Sequence, residues 1–226
     1  MKTLMRLLVL AGCAAFVAVA GMAMLVLPEP PIRLAARVSA ELGNSGVKHP
    51  VTAVLLNFRG YDTLLEIAVL LLALLGIATA AGGDAVTGRR LHGNPQAFLQ
   101  SLARLLAPLM VMTAGYLLWA GSHRPGGAFQ AGAVLAAGIV LLYLSGLLPA
   151  PAGPSWLLRL GLVAGFLVFV AVTAVPLFSG GQLLQYPPDM AGALILLIES
   201  GLTLSLGLIL AALFLWLPDE HEEAEE

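Results

Sequence analysis

Residues Ala191 to Leu217 read AGALILLIESGLTLSLGLILAALFLWL, an apolar run whose one ionisable residue is Glu199. A hydrocarbon core of about 30 Å takes roughly 20 residues of helix to cross. This run is long enough, and it lacks the inside-outside alternation of a barrel strand. A helix also satisfies its backbone polar groups internally, as lipid requires. Five further stretches read the same way: Leu7–Leu27, Thr63–Gly82, Leu102–Gly121, Ala128–Leu148 and Trp156–Phe178. The expected fold is an all-α, polytopic membrane protein with about six transmembrane helices.

Composition agrees. Of the 226 residues 59% are hydrophobic and 11% charged, with a mean hydropathy of +0.94. A soluble domain carries roughly 25% charged residues. A soluble enzyme, a disulfide scaffold and a disordered chain are therefore excluded. The net charge of −2 offers no basic excess for nucleic acid. The single cysteine, Cys13, rules out an internal disulfide framework or a cysteine zinc site. Turn formers separate the runs: Pro28-Glu29-Pro30-Pro31, Gly82-Gly83-Asp84, Pro125-Gly126-Gly127, Pro149 to Pro154, and Tyr186-Pro187-Pro188-Asp189.

The first run follows a basic lead, Lys2 and Arg6, and contains Ala18-Val19-Ala20 and Leu10-Ala11-Gly12-Cys13. Those stretches resemble a signal-peptidase site and a lipoprotein box. The run continues to Leu27, past a signal core of about 7–15 residues, so a retained span is expected. Orientation is undetermined. Lys2, Arg6, Arg89, Arg90, Arg104 and Arg159 fall on one side, and Arg33, Arg37, Lys48, Arg59 and Arg124 on the other. The acidic end, residues 218–226, reads as a solvated tail.

Ionisable residues inside spans are costly and mark function by default. Glu199 lies deepest, about 12 Å from the start of its helix at 1.5 Å per residue. Ser200, Thr203 and Ser205 are its polar neighbours, with Thr203 one turn away. A carboxylate there can relay protons or hold a cation; otherwise it is a neutral group hydrogen-bonded for packing. A second patch is Asn57-Phe58-Arg59-Gly60-Tyr61-Asp62-Thr63-Leu64-Leu65-Glu66. As helix it puts Arg59, Asp62 and Glu66 on one face. Arg59 and Asp62 read as a surface pair at a helix start, with Glu66 one turn deeper. A third patch is Ser122-His123-Arg124-Pro125-Gly126-Gly127-Ala128-Phe129-Gln130-Ala131-Gly132. It is either a tight interhelical turn followed by close packing through Gly132, or a broken re-entry exposing backbone groups to an ion or a neighbour. Pro108 and Pro176 predict kinks. The spans contain no lysine, so the chain reads as part of a pathway completed by others.

Two of these patches resemble a known family. Residues 51–66, VTAVLLNFRGYDTLLE, resemble the TAVLxxFRGxDTLxE pattern of the MbhE-type module. That module also forms the C-terminal part of the large subunit of Mrp-type antiporters. Residues from about Gln96 to Leu217 resemble the MnhB/MrpB family, through Arg104-Leu105-Leu106-Ala107-Pro108-Leu109 and the Pro125–Gly132 stretch. Ala128 and Ala131 stand where that family commonly has glycine. The resemblance implies two fused modules: 1–90 with two transmembrane helices, 91–217 with four, then the tail. It implies a non-catalytic subunit of a multisubunit Na+/H+ antiporter in the cell inner membrane. Na+ and H+ would be the transported ions, with no resident cofactor or metal. Partners would be larger subunits, or a complex-I-like assembly, within the bilayer. Asp62, Glu66, Glu199 and Thr203 become ion-path candidates. Arg59, Pro125, Gly126, Gly127, Gln130 and Gly132 become structural or subunit-contact candidates. The alternative is a structural subunit in the membrane arm of a redox-driven pump, hydrogenase-like or respiratory.

Overall fold

The computed structural model describes residues 2–27, 34–80, 97–149, 155–187 and 189–216. Among them there are helices and turns and no strand. The expected turns at 28–31 and 82–84, most of that at 149–154, and the acidic tail lie outside the described residues.

The chain divides into two units, Met1–Arg37 and Val38–Glu226. The first holds α1 (Lys2–Val26), whose leucines, valines and methionines are exposed along its length. Such a helix is stable where its surroundings are apolar. A short helix, α2 (Leu34–Glu41), crosses the division.

The second unit contains α3 (Pro50–Ala53), α4 (Gly60–Ala80), α5 (Ala97–Ala120), α6 (Ala128–Leu144), α7 (Trp156–Ala174) and α8 (Ala191–Leu215). Between α3 and α4, Val54–Phe58 forms one π-helical turn. The Arg59 N–H closes it on the Val54 carbonyl. The Thr63 hydroxyl donates to the Leu55 carbonyl at this break.

The helix α8 is the centre of the unit and packs on α4, α5, α6 and α7. Ile195, Ile198, Leu202, Leu206 and Ile209 are fully buried along it, together with Phe169 of α7. Small residues allow the close approach, as usual between helices in lipid. Gly165 of α7 faces Gly201 and Ser205. Gly132 of α6 faces Thr203, Leu206 and Gly207. These pairings set directions: α6 runs parallel to α8, and α7 runs antiparallel to it. The Ser205 hydroxyl donates across that interface to the Leu162 carbonyl.

Five helices, α1, α4, α5, α7 and α8, are long and apolar enough to cross a bilayer. The other expected span is shorter than the sequence suggests: α6 has 17 residues. It ends at Leu144 because Gly146 turns left-handed at φ +70°. The Leu147 and Gly146 N–H groups then bond back to the Leu142 and Tyr143 carbonyls. That closure is a Schellman motif. Pro176 also acts differently from a simple kink. The α-helix gives way at Ala174 to a 3-10 turn over Val175–Ser179 with the proline in its first turn, since proline has no N–H to continue the ladder.

Candidate functional site

The site is built around the turn that joins α5 to α6. Gly126 and Gly127 make it possible. A β-carbon at Gly126 would stand 2.5 Å from the Leu117 carbonyl oxygen. Gly127 has φ 110° and ψ −173°, a conformation essentially reserved for glycine. Its N–H donates to the Leu117 carbonyl at 2.8 Å, and its own carbonyl accepts from Ala131. The first residue of α6 is then Ala128, whose N–H has no partner within the helix.

Glu199 supplies that partner. Its carboxylate accepts from the Ala128 backbone N–H. The residue is 3% exposed, and its second oxygen, Oε2, has no hydrogen-bond partner. The missing side chains of the turn make the room. A β-carbon at Gly127 would lie 2.7 Å from Glu199 Oε1, and one at Gly121 would lie 3.2 Å from it. The helix macrodipole adds about half a positive charge at this point, which favours an anion.

The parallel packing fixes the depth. Glu199 is eight residues into α8, so α6 begins roughly 12 Å below the α8 start. The turn is therefore recessed, and the segment before α4 covers it. The Lys48 and His49 N–H groups donate to the Ser122 carbonyl at 2.8 and 3.1 Å. The Thr52 hydroxyl donates to the Gly121 carbonyl. Gly46 sits on the first turn of α8, where a β-carbon would be 2.5 Å from the Ala191 side chain. The two patches that carry the family resemblance thus meet on either side of one turn, with Glu199 beneath it.

The other sequence candidates are placed variously. Thr203 donates its hydroxyl to the Glu199 backbone carbonyl at 2.7 Å, not to the carboxylate. Gln130 is exposed on the first turn of α6. Pro125 is exposed in the turn, and Gly132 is buried against α8. Arg59 lies just before α4 and forms an ion pair with Asp62 in its first turn, at 60% and 46% side-chain exposure. Such an exposed pair contributes about 0.2–1 kcal/mol. Asp62→Asn is accordingly expected to leave the unfolding temperature of the purified chain nearly unchanged. A drop of many degrees would show that the pair does more than anchor a helix start. Glu66 is exposed on α4, in line with exposed Val69, Ala73 and Gly76. Glu66 and Glu199 therefore differ sharply in environment.

Sequence reasoning passed over Thr52, Gly121 and Gly46, which hold the turn. Nothing local marks them, although Thr52 stood in a stretch already singled out. It also passed over Tyr186, in the loop before α8. That residue is 7% exposed and its hydroxyl has no partner. Burial pushes the phenol well above its ordinary range.

The fold and this site define a multi-pass α-helical membrane protein with a buried carboxylate on the end of an internal helix. Residues 98–217 match the family model described as a domain related to the MnhB subunit of Na+/H+ antiporters. The chain belongs to the MnhB family. Among solved structures it resembles a chain of the Mrp complex from Dietzia sp. DQ12-45-1b, with a TM-score of 0.66 and 25% identity. That likeness covers 92% of this chain and 25% of the other, so the present chain spans about a quarter of its length. It also shares its fold with a chain of the membrane-bound sulfane sulfur reductase, an archaeal respiratory membrane complex. There the TM-score is 0.71 at 22% identity, over 94% of this chain and 97% of the other. None of the curated proteins compared with it matches.

Proposed function

We propose that the chain is a non-catalytic membrane subunit of a multisubunit Na+/H+ antiporter, resident in the cell membrane and working beside larger subunits. The observation that carries this reading is Glu199, buried to 3% exposure with Oε2 unpartnered beneath the α6 turn. Membership of the MnhB family and the likeness to the Mrp chain support the same activity. Transported Na+ and H+ are the only small ligands the reading needs.

The N-terminal part belongs to the proposal as a second, fused module. In its support, the structural likeness extends over 92% of the chain, well beyond residues 98–217. Glu66 fits a place between subunits. A carboxylate on an apolar helix face is costly against lipid. A larger subunit covering Glu66, Val69, Ala73 and Gly76 would supply a donor or cation for it, and Asp62 would lie near the mouth of the same route.

The test is antiport in everted membrane vesicles, read as the collapse of a pH gradient on adding sodium. Removing the chain is expected to abolish the response, and restoring it to bring the response back. Glu199→Gln is expected to leave the complex assembled and lower antiport at least tenfold, a barrier change of about 1.4 kcal/mol or more. Full antiport in an assembled Glu199→Gln complex would remove Glu199 from the path. A chain that purifies with redox-centre subunits, and whose loss leaves antiport intact, would overturn the reading as a whole.

A further inference from the structure

The end of α6 bears on which ion Glu199 can take. Sites for alkali cations surround the ion with oxygens that replace its hydration shell. In membrane proteins with broken helices these oxygens come from unwound carbonyls and helix C-terminal ends, while N-terminal ends face anions. Glu199 faces an N-terminal end. Its partner is a donor, the Ala128 N–H.

The carbonyls that flank Glu199 at Leu117, Gly121 and Gly127 are already engaged. Leu117 accepts from Gly121 and Gly127, and Gly127 accepts from Ala131. Gly121 accepts from the Thr52 hydroxyl. The Thr203 hydroxyl is turned to the Glu199 backbone. Among the described residues no three His, Cys, Asp or Glu side chains come together to hold a metal ion. Gln130 Oε1, 3.8 Å from where a Gly127 β-carbon would stand, belongs to an exposed side chain, while Glu199 Oε2 is left buried without a partner. A proton needs one such oxygen, whereas a dehydrated sodium ion needs several.

We propose that Glu199 is a proton site that excludes sodium, the α6 N-terminus acting as the element that makes the choice. A proton adds to Oε2 and the carboxylate becomes a carboxylic acid, with no other bond made or broken. When the proton leaves, the carboxylate that remains faces the Ala128 N–H and the positive end of α6 rather than a cation. Two tyrosines on the surrounding elements are buried, Tyr143 on α6 and Tyr186 before α8, whereas the charged groups and histidines there stand at exposed or half-exposed positions. They are Asp62 and Glu66 on α4, Arg104 on α5, His123 and Arg124 in the turn, Arg159 on α7, and Lys48 and His49 on the covering segment. The assignment rests on the reading of Glu199 as part of an ion path.

Dicyclohexylcarbodiimide tests it on the assembled wild-type complex in native membranes. The reagent adds a protonated carboxyl across its C=N bond, giving an O-acylisourea that rearranges to a stable N-acylurea. The modified Glu199 peptide is then quantified by mass spectrometry, with Glu199→Gln as the blank. Labelling is expected to fall about tenfold for each pH unit once the carboxylate predominates. At fixed pH, replacing choline by saturating sodium is expected to change the rate by less than about twofold. Tenfold protection by sodium would overturn the proposal, because it makes Glu199 a shared sodium site. Absent labelling, or labelling independent of pH, would overturn it as well. The two readings fail separately. Full antiport by Glu199→Gln removes the ion path, whereas sodium protection with an inactive Glu199→Gln complex removes only the proton assignment.

Discussion

Gly127→Ala is expected to lower antiport in everted vesicles at least tenfold, and Gly127→Val to abolish it. Two effects add at this position. The backbone stands at φ 110°, ψ −173°, where a side chain costs about 1–3 kcal/mol. The new β-carbon would also stand 2.7 Å from Glu199 Oε1. Either the turn relaxes or the carboxylate is displaced. In both cases the Ala128 N–H and Glu199 lose each other, leaving a buried donor and a buried acid unsatisfied at about 1–3 kcal/mol each. The measurement separates folding from function: the amount of chain retained in the complex, and antiport per retained chain. Normal antiport in Gly127→Val would show that the geometry of this turn is unimportant. Gly115 provides the control, since a β-carbon there meets nothing within 4 Å. Gly115→Ala is expected to be silent in the fold of the chain.

Gly132→Leu is expected to prevent stable accumulation of the chain. The helix α6 lies against α8 at this residue. Its β-carbon would fall 2.8 Å from the Leu206 β-carbon and 3.3 Å from both the Gly207 nitrogen and the Thr203 oxygen. None of these is the far end of a flexible side chain, so the helices must separate. Overpacking of this kind costs about 1–3 kcal/mol, or more when backbone must move. Separation would also lift Ala128 away from Glu199, one turn earlier on the same pair of helices. Gly132→Ala is expected to show the same defect in milder form. The measurement is the yield and unfolding temperature of the chain in mild detergent. Wild-type yield and stability for Gly132→Leu would contradict the packing described here.

Glu66 and Glu199 illustrate how far sequence reading reaches. Both stand out as acids in apolar runs, and both depths follow from counting residues along a helix. Periodicity also places Glu66 in line with Val69 and Ala73. It does not say whether a neighbouring helix covers that line. In the folded chain Glu66 is exposed and Glu199 is buried, because α8 is surrounded by four helices whereas that face of α4 has no neighbour among the described residues of its unit. The Pro125–Gly127 stretch was legible as a sharp turn from residue type alone. Its role as a seat for a carboxylate was not, since the seat needs Glu199 about seventy residues away.

The sequence by itself determined that the chain is a helical membrane protein, where most of its helices run, and which few residues bear charge inside them. Those properties are local. Each apolar segment must satisfy its own backbone hydrogen bonds in lipid, whatever its neighbours do. The tertiary structure alone decided that α6 is short and starts at the level of Glu199. It also decided that the Thr52 segment lies over the α5–α6 turn. Those properties depend on helix order and register, which are set by small residues meeting across interfaces such as Gly132 with Leu206 and Gly165 with Ser205. Such contacts join residues far apart in the chain, and no local pattern of hydropathy encodes them.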